Sequence, residues 1–260
     1  MTENARRLRR SILKTAHAGK DGNLQSVFSS VEILRVLYDR FLNVSPDNAQ
    51  DENRDRFVLS KGQSTMGLLA LLAEKGFFPE EELLTACRYD SRISMQADRT
   101  KLPFVEISAG SLGHGFPIAV GMAMGNRIRG LDGRVVVLAG DGEMNEGTMW
   151  EAALLAGSEK LDNLILIVDD NSSVEEMIHL GDIGEKLKGF GFAVVAVNGH
   201  DEEAIADALQ TPHLGMPLAI IAKTVRGFGC KMMMEDRTWF HRAPSSEELE
   251  LLIEDVNSYE

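Results

Sequence analysis

The sequence predicts an α/β fold: a doubly wound, mostly parallel sheet with helices on both faces. Three observations predict it. Runs that are almost wholly apolar recur at residues 134–139, 163–168, 192–197 and 217–223, and strands without polar alternation belong to sheets covered on both faces, the habit of parallel ones. Stretches with helical spacing separate those runs, which is the alternation a doubly wound sheet needs. A glycine-rich turn, GDG at 140–142, directly follows the first of the four, and such sheets bind ligands at the carboxyl ends of their strands.

Taken in order, residues 3–18 read as a helix with Ala5, Leu8, Ile12 and Leu13 on its apolar side. Residues 29–42 read as a second helix, with Val31, Ile33, Leu34, Val36, Leu37 and Phe41 at helical spacing. The polar stretch 45–55 contains Pro46 and reads as a loop, and 56–60 (RFVLS) as a short strand. Helical character resumes at 67–75 and again at 79–87, where Pro79 suits a first helical position. Residues 91–106 have little periodicity and read as an irregular, functional surface segment. The glycine-rich 110–115 leads into a small-residue helix over 117–129. Helices are predicted over 146–160, 183–190 and 202–209, between the four apolar strands. The whole chain, 1–260, reads as one domain with a helical N-terminal portion and a short C-terminal tail.

Composition narrows the function. With 260 residues, 44% of them hydrophobic, the chain can build a large core. A formal net charge of −13 argues against nucleic acid or an anionic membrane as partner. The cluster Arg6, Arg7, Arg9 and Arg10 reads as a solvated helix face rather than a transit peptide. No apolar run approaches the ~20 residues of a membrane span, and no secretory apolar core follows Met1. Cys87 and Cys230 fit no metal-binding spacing and read as free thiols, so a cytoplasmic location is expected.

The segment that carries chemistry is GDGEMNEG, 140–147, after the strand 134–139. The next strand ends in VDDN, so Asn171 stands thirty residues after Asp141, also at a strand's carboxyl end. A carboxylate and a carboxamide oxygen are hard donors suited to Mg²⁺ or Ca²⁺. Two side chains and one backbone carbonyl would leave an octahedral ion room for two phosphate oxygens and a water. Gly140 and Gly142 lack Cβ atoms and let backbone approach a phosphate, and a helix starting near Asn145 points its amino end at the same place. The motif alone leaves open a plain tight turn followed by an Asx turn.

The same segment, continued to Asn171, resembles the corresponding stretch of transketolases, which use thiamine diphosphate. So do GSLGHGFPIAVGMAMG at 110–125, RFVLSKGQSTMGLLALLAEKGFF at 56–78, SSVEILRVLYDRFL at 29–42 and the end of the chain, 222–250. The resemblance implies the thiamine diphosphate-binding fold of the diphosphate-side domain, and it implies roles. Asp141, Asn171 and, through its backbone carbonyl, Ser173 would hold the metal. Gly142 would donate its N–H to the diphosphate, with Glu143, Gln63 and His114 also at the cofactor. Leu112 and Gly113 would line its ring pocket, Glu146 would sit at a subunit interface, and Trp239 would pack near a closing tail. Complete transketolases are much longer and carry a pyrimidine-binding domain that supplies the glutamate needed to activate the cofactor. No segment here resembles it. A second chain carrying that domain is therefore expected, in an α2β2 assembly with a small-molecule substrate.

Several histidines usual in that family are absent. GNLQS at 22–26 puts Asn23 where a substrate-handling histidine is usual, SKGQ puts Gln63 where a diphosphate-contacting histidine is usual, and MQAD puts Gln96 where the histidine of a GHPD-type segment is usual. In WFHRAP, Phe240 stands where histidine is usual and His241 follows it. Amides keep hydrogen bonding but cannot shuttle protons near neutral pH. The expected substrate-side residues are thus Asn23, Gln96 and His241, and an ordinary pentose phosphate substrate becomes doubtful. His17 reads as structural, and His179, His200 and His213 as surface or capping residues. The leading expectation is two-carbon ketol transfer from a non-standard sugar to an aldehyde. Decarboxylation of a 2-oxoacid with acyl transfer, and a non-catalytic partner-binding role, are the alternatives.

Overall fold

Five parallel strands form one sheet in the order β1-β2-β3-β5-β4 in the computed structural model, which describes residues 1–108, 110–172 and 178–260. They are β1 (Arg56–Leu59), β2 (Val135–Gly140), β3 (Leu164–Asp170), β4 (Ala193–Asn198) and β5 (Leu218–Lys223). Side chains alternate across the sheet, so each strand feeds two cores. Val136, Leu138, Ile165, Ile167, Leu218 and Ile220 face one layer, and Val135, Val137, Leu164, Leu166, Val168, Ala219 and Ile221 face the other. This is why the strands read as unbroken apolar runs.

The second layer holds α5 (Gly115–Arg129), α6 (Gly147–Ser158) and α7 (Ile183–Gly189), which connect β1 to β2, β2 to β3 and β3 to β4. The first layer holds α1 (Glu3–Gly19), α2 (Leu24–Phe28), α3 (Val31–Val36), α4 (Thr65–Glu74) and α8 (Glu202–Leu209). The chain steps one way along the sheet through β1, β2 and β3 and turns back from β4 to β5, and α8 accordingly lies on the opposite face, as right-handed crossovers require.

Several elements differ from expectation. The helix expected over 29–42 is α3 running into a π turn, Leu37–Phe41, closed by Leu42 N–H on the Leu37 carbonyl at 2.8 Å, with α2 as a separate turn before it. The stretch 79–87 is only a 3-10 turn, Glu80–Thr85. Cys87 takes a positive φ of 60° and turns its N–H to the Ile93 carbonyl at 2.9 Å, which ends helical winding. The C-terminal segment is more than a tail. It contains α9 (Lys231–Glu235), a 3-10 turn (Arg237–His241) and α10 (Ser246–Ser258). A reciprocal capping box starts α10: Glu248 N–H donates to Ser245 Oγ at 3.2 Å, and Ser245 N–H to Glu248 Oε2 at 2.8 Å.

The arginine cluster is only in part a solvated face: Arg7 is exposed, while Arg6 and Arg9 are tied into the fold. Arg6 donates to the carbonyls of Val256, Asn257 and Tyr259 at the carboxyl end of α10, where backbone acceptors lack helical partners. Arg9 is fully buried, with two bonds to Glu32 at 2.7 and 3.0 Å. His200 is not a surface residue either. Its ring stacks on Phe228 at 3.6 Å, faces Glu32 Oε2 through Nδ1 at 3.2 Å and accepts Val225 N–H at Nε2 at 2.8 Å. His17 faces the Pro244 carbonyl at 2.9 Å, in keeping with a structural part. Cys87 is exposed and Cys230 buried, both as free thiols. Among the described residues, no helix is long and apolar enough to cross a membrane.

Candidate active site

β2 and β3 are neighbours in register, Gly140 against Asp169, and Asp141 N–H donates to the Asp169 carbonyl at 3.0 Å. Asp141 and Asn171, each one residue beyond its strand, are therefore brought to adjoining tips. Both are nearly buried, at 5% and 6% exposure. Asn171 Nδ2 donates to Ser29 Oγ at 3.3 Å. Ser29 Oγ gives its own hydrogen to Asp169 Oδ2 at 2.7 Å and accepts from Lys61 Nζ at 3.1 Å, so it can only accept from Asn171. That settles the amide's orientation. Asn171 Oδ1 is left buried with no donor among the described residues, a costly state unless an electrophile takes it up.

Lys61 is the cation beneath this corner. It ion-pairs with buried Asp169 and donates to the Ser26 carbonyl at 2.7 Å. Thr224 Oγ1 donates to the other Asp169 oxygen. The charge of Asp169 is thus compensated within the fold, and its side chain is occupied on both oxygens.

Glu143 clamps the glycine-rich loop to the loop after β2. Its Oε1 accepts Ser60 Oγ–H at 2.6 Å and Gly113 N–H at 2.9 Å, while Ser60 Oγ also accepts Phe116 N–H at 3.1 Å at the start of α5. Burial raises the Glu143 carboxyl above its usual range, against the lowering effect of Ser60 and Gly113, and Oε2 has no donor among the described residues. Gly113 has φ +79°, and a Cβ there would lie 2.6 Å from both Glu146 Cβ and Thr148 Oγ1. Only glycine fits that position.

These groups open on one cavity of about 600 Å³. Gln63, Leu112, Gly140, Asp141, Gly142, Glu143, Glu146 and Asn171 line it, with Glu146 exposed at its rim. Gln25, Ser26, Lys61, Asn145, Ile178, Arg226, Arg237 and Phe240 line it as well. Of these, Asn145 lies within GDGEMNEG, Lys61 stands in SKGQ and Phe240 occupies a displaced histidine position, while no motif gives a site role to Gln25, Ser26, Ile178, Arg226 or Arg237. They lie in segments remote in sequence, and only the fold gathers them. The turn expected to begin a helix near Asn145 is a 3-10 turn, Gly142–Asn145, and α6 starts at Gly147.

The remaining expected residues lie outside this cavity's lining. Asn23 precedes α2 and is half-buried. Gln96 is exposed and packs against Gly62 and Gly110. His114 is exposed and lines a separate recess with Ser60 and Ile118. His241 is exposed, while its neighbour Phe240 faces the cavity. Trp239 is buried, with the Arg242 guanidinium 3.7 Å above its ring. Ser173 lies outside the described residues.

The donor set fits a hard divalent ion bridging to phosphate: a carboxylate beside a buried, donorless carboxamide oxygen. Among the described residues no group of three or more His, Cys, Asp or Glu could hold an ion.

Known proteins resemble the chain along its length. The profile of the family described as Transketolase, thiamine diphosphate binding domain, matches residues 1–252. An apulose-4-phosphate transketolase subunit of Actinobacillus succinogenes is 36% identical over 264 residues, covering 98% of this chain and 95% of that protein. A 6-deoxy-6-sulfo-D-fructose transketolase subunit of a Clostridium species is 34% identical, covering 88% of this chain and 85% of the other. The solved transketolase of Campylobacter jejuni superposes with a TM-score of 0.89 at 29% identity, covering 98% of this chain but 42% of the longer protein. The sheet, the strand-tip corner and these likenesses agree: the chain belongs to the thiamine diphosphate-binding domain family of transketolases and is a transketolase-like transferase subunit.

Proposed function

We propose that the chain is the diphosphate-holding subunit of a two-chain transketolase that moves a two-carbon ketol unit from a non-standard sugar to an aldehyde. The observation that carries the proposal is the corner at the tips of β2 and β3, where Asn171 offers a buried oxygen without a donor beside Asp141. Thiamine diphosphate supplies the carbanion chemistry when bound. Asp141, Asn171 and Ser173 would hold Mg²⁺ or Ca²⁺, and Gly142 N–H, which donates to Asp141 Oδ1 at 2.9 Å, would turn to the diphosphate. Leu112 and Gly113 shape the ring pocket, with Glu143 fixing their loop. Gln63 binds beside the diphosphate, while Asn23, Gln96 and His241 act on the substrate side and His114 at the cofactor, from positions outside the cavity's lining. The chain works as one binding unit.

A partner chain completes the site. Two relatives of nearly this length are named as transketolase subunits, which supports a partner with the pyrimidine-binding domain and an α2β2 assembly. Those relatives are named for apulose-4-phosphate and 6-deoxy-6-sulfo-D-fructose, which supports a sugar outside the ordinary pentose phosphates. The amides at 23, 63 and 96 and Phe240 point the same way. The test is calorimetry of the chain with its partner, thiamine diphosphate and Mg²⁺. Asp141→Ala and Asn171→Ala should each abolish metal-dependent cofactor retention, and unchanged affinity in both would sink the proposal. Product analysis with ketose and 2-oxoacid donors separates ketol transfer from decarboxylation.

A further inference from the structure

Gln25 sits in the first turn of α2, is 2% exposed and lines the cavity. Three bonds join it to the C-terminal segment. Its backbone carbonyl accepts Gly227 N–H at 3.0 Å, and its Nε2 donates to the carbonyls of Met233 at 2.5 Å and Asp236 at 3.3 Å. The segment held in this way contributes Arg226, Arg237 and Phe240 to the cavity.

Those bonds also determine which way the amide points. Met233 and Asp236 offer only carbonyl oxygens, so the group facing them must be the NH₂. The carboxamide oxygen is then the one side-chain polar atom not bonded to this C-terminal strap. Oε1 is buried and has no donor among the described residues. A buried acceptor locked in one orientation is unsatisfied unless a ligand brings a hydrogen, and a site with such a group rejects ligands that cannot. It is uncharged and cannot donate, so it suits a neutral hydroxyl and disfavours an anionic oxygen.

We propose that Gln25 is a specificity-determining residue whose Oε1 accepts the hydrogen of a substrate hydroxyl, making the cavity selective for hydroxylated substrates over their deoxy counterparts. The inference rests on the ketol-transfer reading and names the feature of the substrate that this chain reads.

Two substitutions separate the acceptor from the strap. Gln25→Lys keeps donors toward Met233 and Asp236 but removes the acceptor, and Gln25→Met removes both. Each is assayed in the complex with the partner chain, using probes that differ by one hydroxyl: hydroxypyruvate against pyruvate as donors, and glycolaldehyde against acetaldehyde as acceptors. Thiamine diphosphate affinity is measured alongside by tryptophan fluorescence. In at least one pair, the kcat/KM preference for the hydroxylated probe should fall about tenfold in both variants, as expected for one lost hydrogen bond to a buried neutral acceptor, with cofactor Kd within about twofold. Preferences unchanged in both pairs, or a cofactor Kd that weakens as much as turnover does, would overturn the assignment and leave the functional reading standing. An unsubstituted complex that binds no thiamine diphosphate and transfers no ketol unit would overturn both.

Discussion

Replacing Asn171 with leucine should separate stability from function at the strand-tip corner. The variant loses one hydrogen bond, Nδ2 to Ser29 Oγ at 3.3 Å, worth about 1 kcal/mol. Ser29 Oγ keeps Lys61 and Asp169 as partners, so no new orphan arises there. The variant also removes a buried oxygen that has no donor among the described residues, and relief of that desolvation cost is worth about 2 kcal/mol. Leucine has the same branched outline and number of heavy side-chain atoms, so the ligand-free chain should be about 1 kcal/mol more stable than the parent. Urea unfolding of the full chain, followed by tryptophan fluorescence, reads this as a raised midpoint at unchanged slope. With the partner present, the parent should gain about 2.7 kcal/mol at thiamine diphosphate and Mg²⁺ near a hundredfold above Kd, and the variant should gain nothing. A ligand-free variant destabilised by about 2 kcal/mol or more, or one that keeps the ligand-induced gain, would refute the view that Asn171 is held ready for a metal.

Further outcomes follow from other contacts. Lys61→Met leaves Asp169 buried without its cation and should cost about 3 kcal/mol in urea unfolding. Gly113→Val forces a Cβ to 2.6 Å from Glu146 Cβ at φ +79°, and should weaken cofactor binding in calorimetry more than it lowers the midpoint of the ligand-free chain. Burial and the neighbouring Asp255 push the Cys230 thiol up to about 12, so at pH 8 a thiol reagent should label exposed Cys87 while Cys230 reacts only on unfolding. Burial raises the Asp55 carboxyl, but Arg134 and the N–H groups of Asn43 and Arg134 outweigh it and hold it below 3.8. Its contribution to stability is therefore present above pH 3.8 and lost as pH falls through the folded value. Asp55→Asn should flatten the stability–pH curve in that acid range.

The parallel sheet, its β2 and β3 ends and the Asp141–Asn171 pair were legible in the sequence because their information is local. Apolar periodicity marks a doubly covered strand, and a strand's carboxyl end marks where its last side chains emerge. The orphan oxygen of Asn171, the amide orientation of Gln25 and the burial of Arg9 and His200 were not legible. Each depends on partners far away in the chain: Ser29 and Lys61 for Asn171, Met233 and Asp236 for Gln25, Glu32 and Phe228 for Arg9 and His200. The same holds for the cavity wall, where Phe240 faces inward and His241 does not. One residue of rotation in a short turn decides that, and turn residues carry no periodicity to read. By itself, then, the sequence determined the layers, the pairing of Asp141 and Asn171 at neighbouring strand tips and the family, through patterns that repeat over neighbouring residues. Only the tertiary structure decided which polar atoms reach the cavity unsatisfied, because hydrogen-bond satisfaction is a property of groups that meet in space.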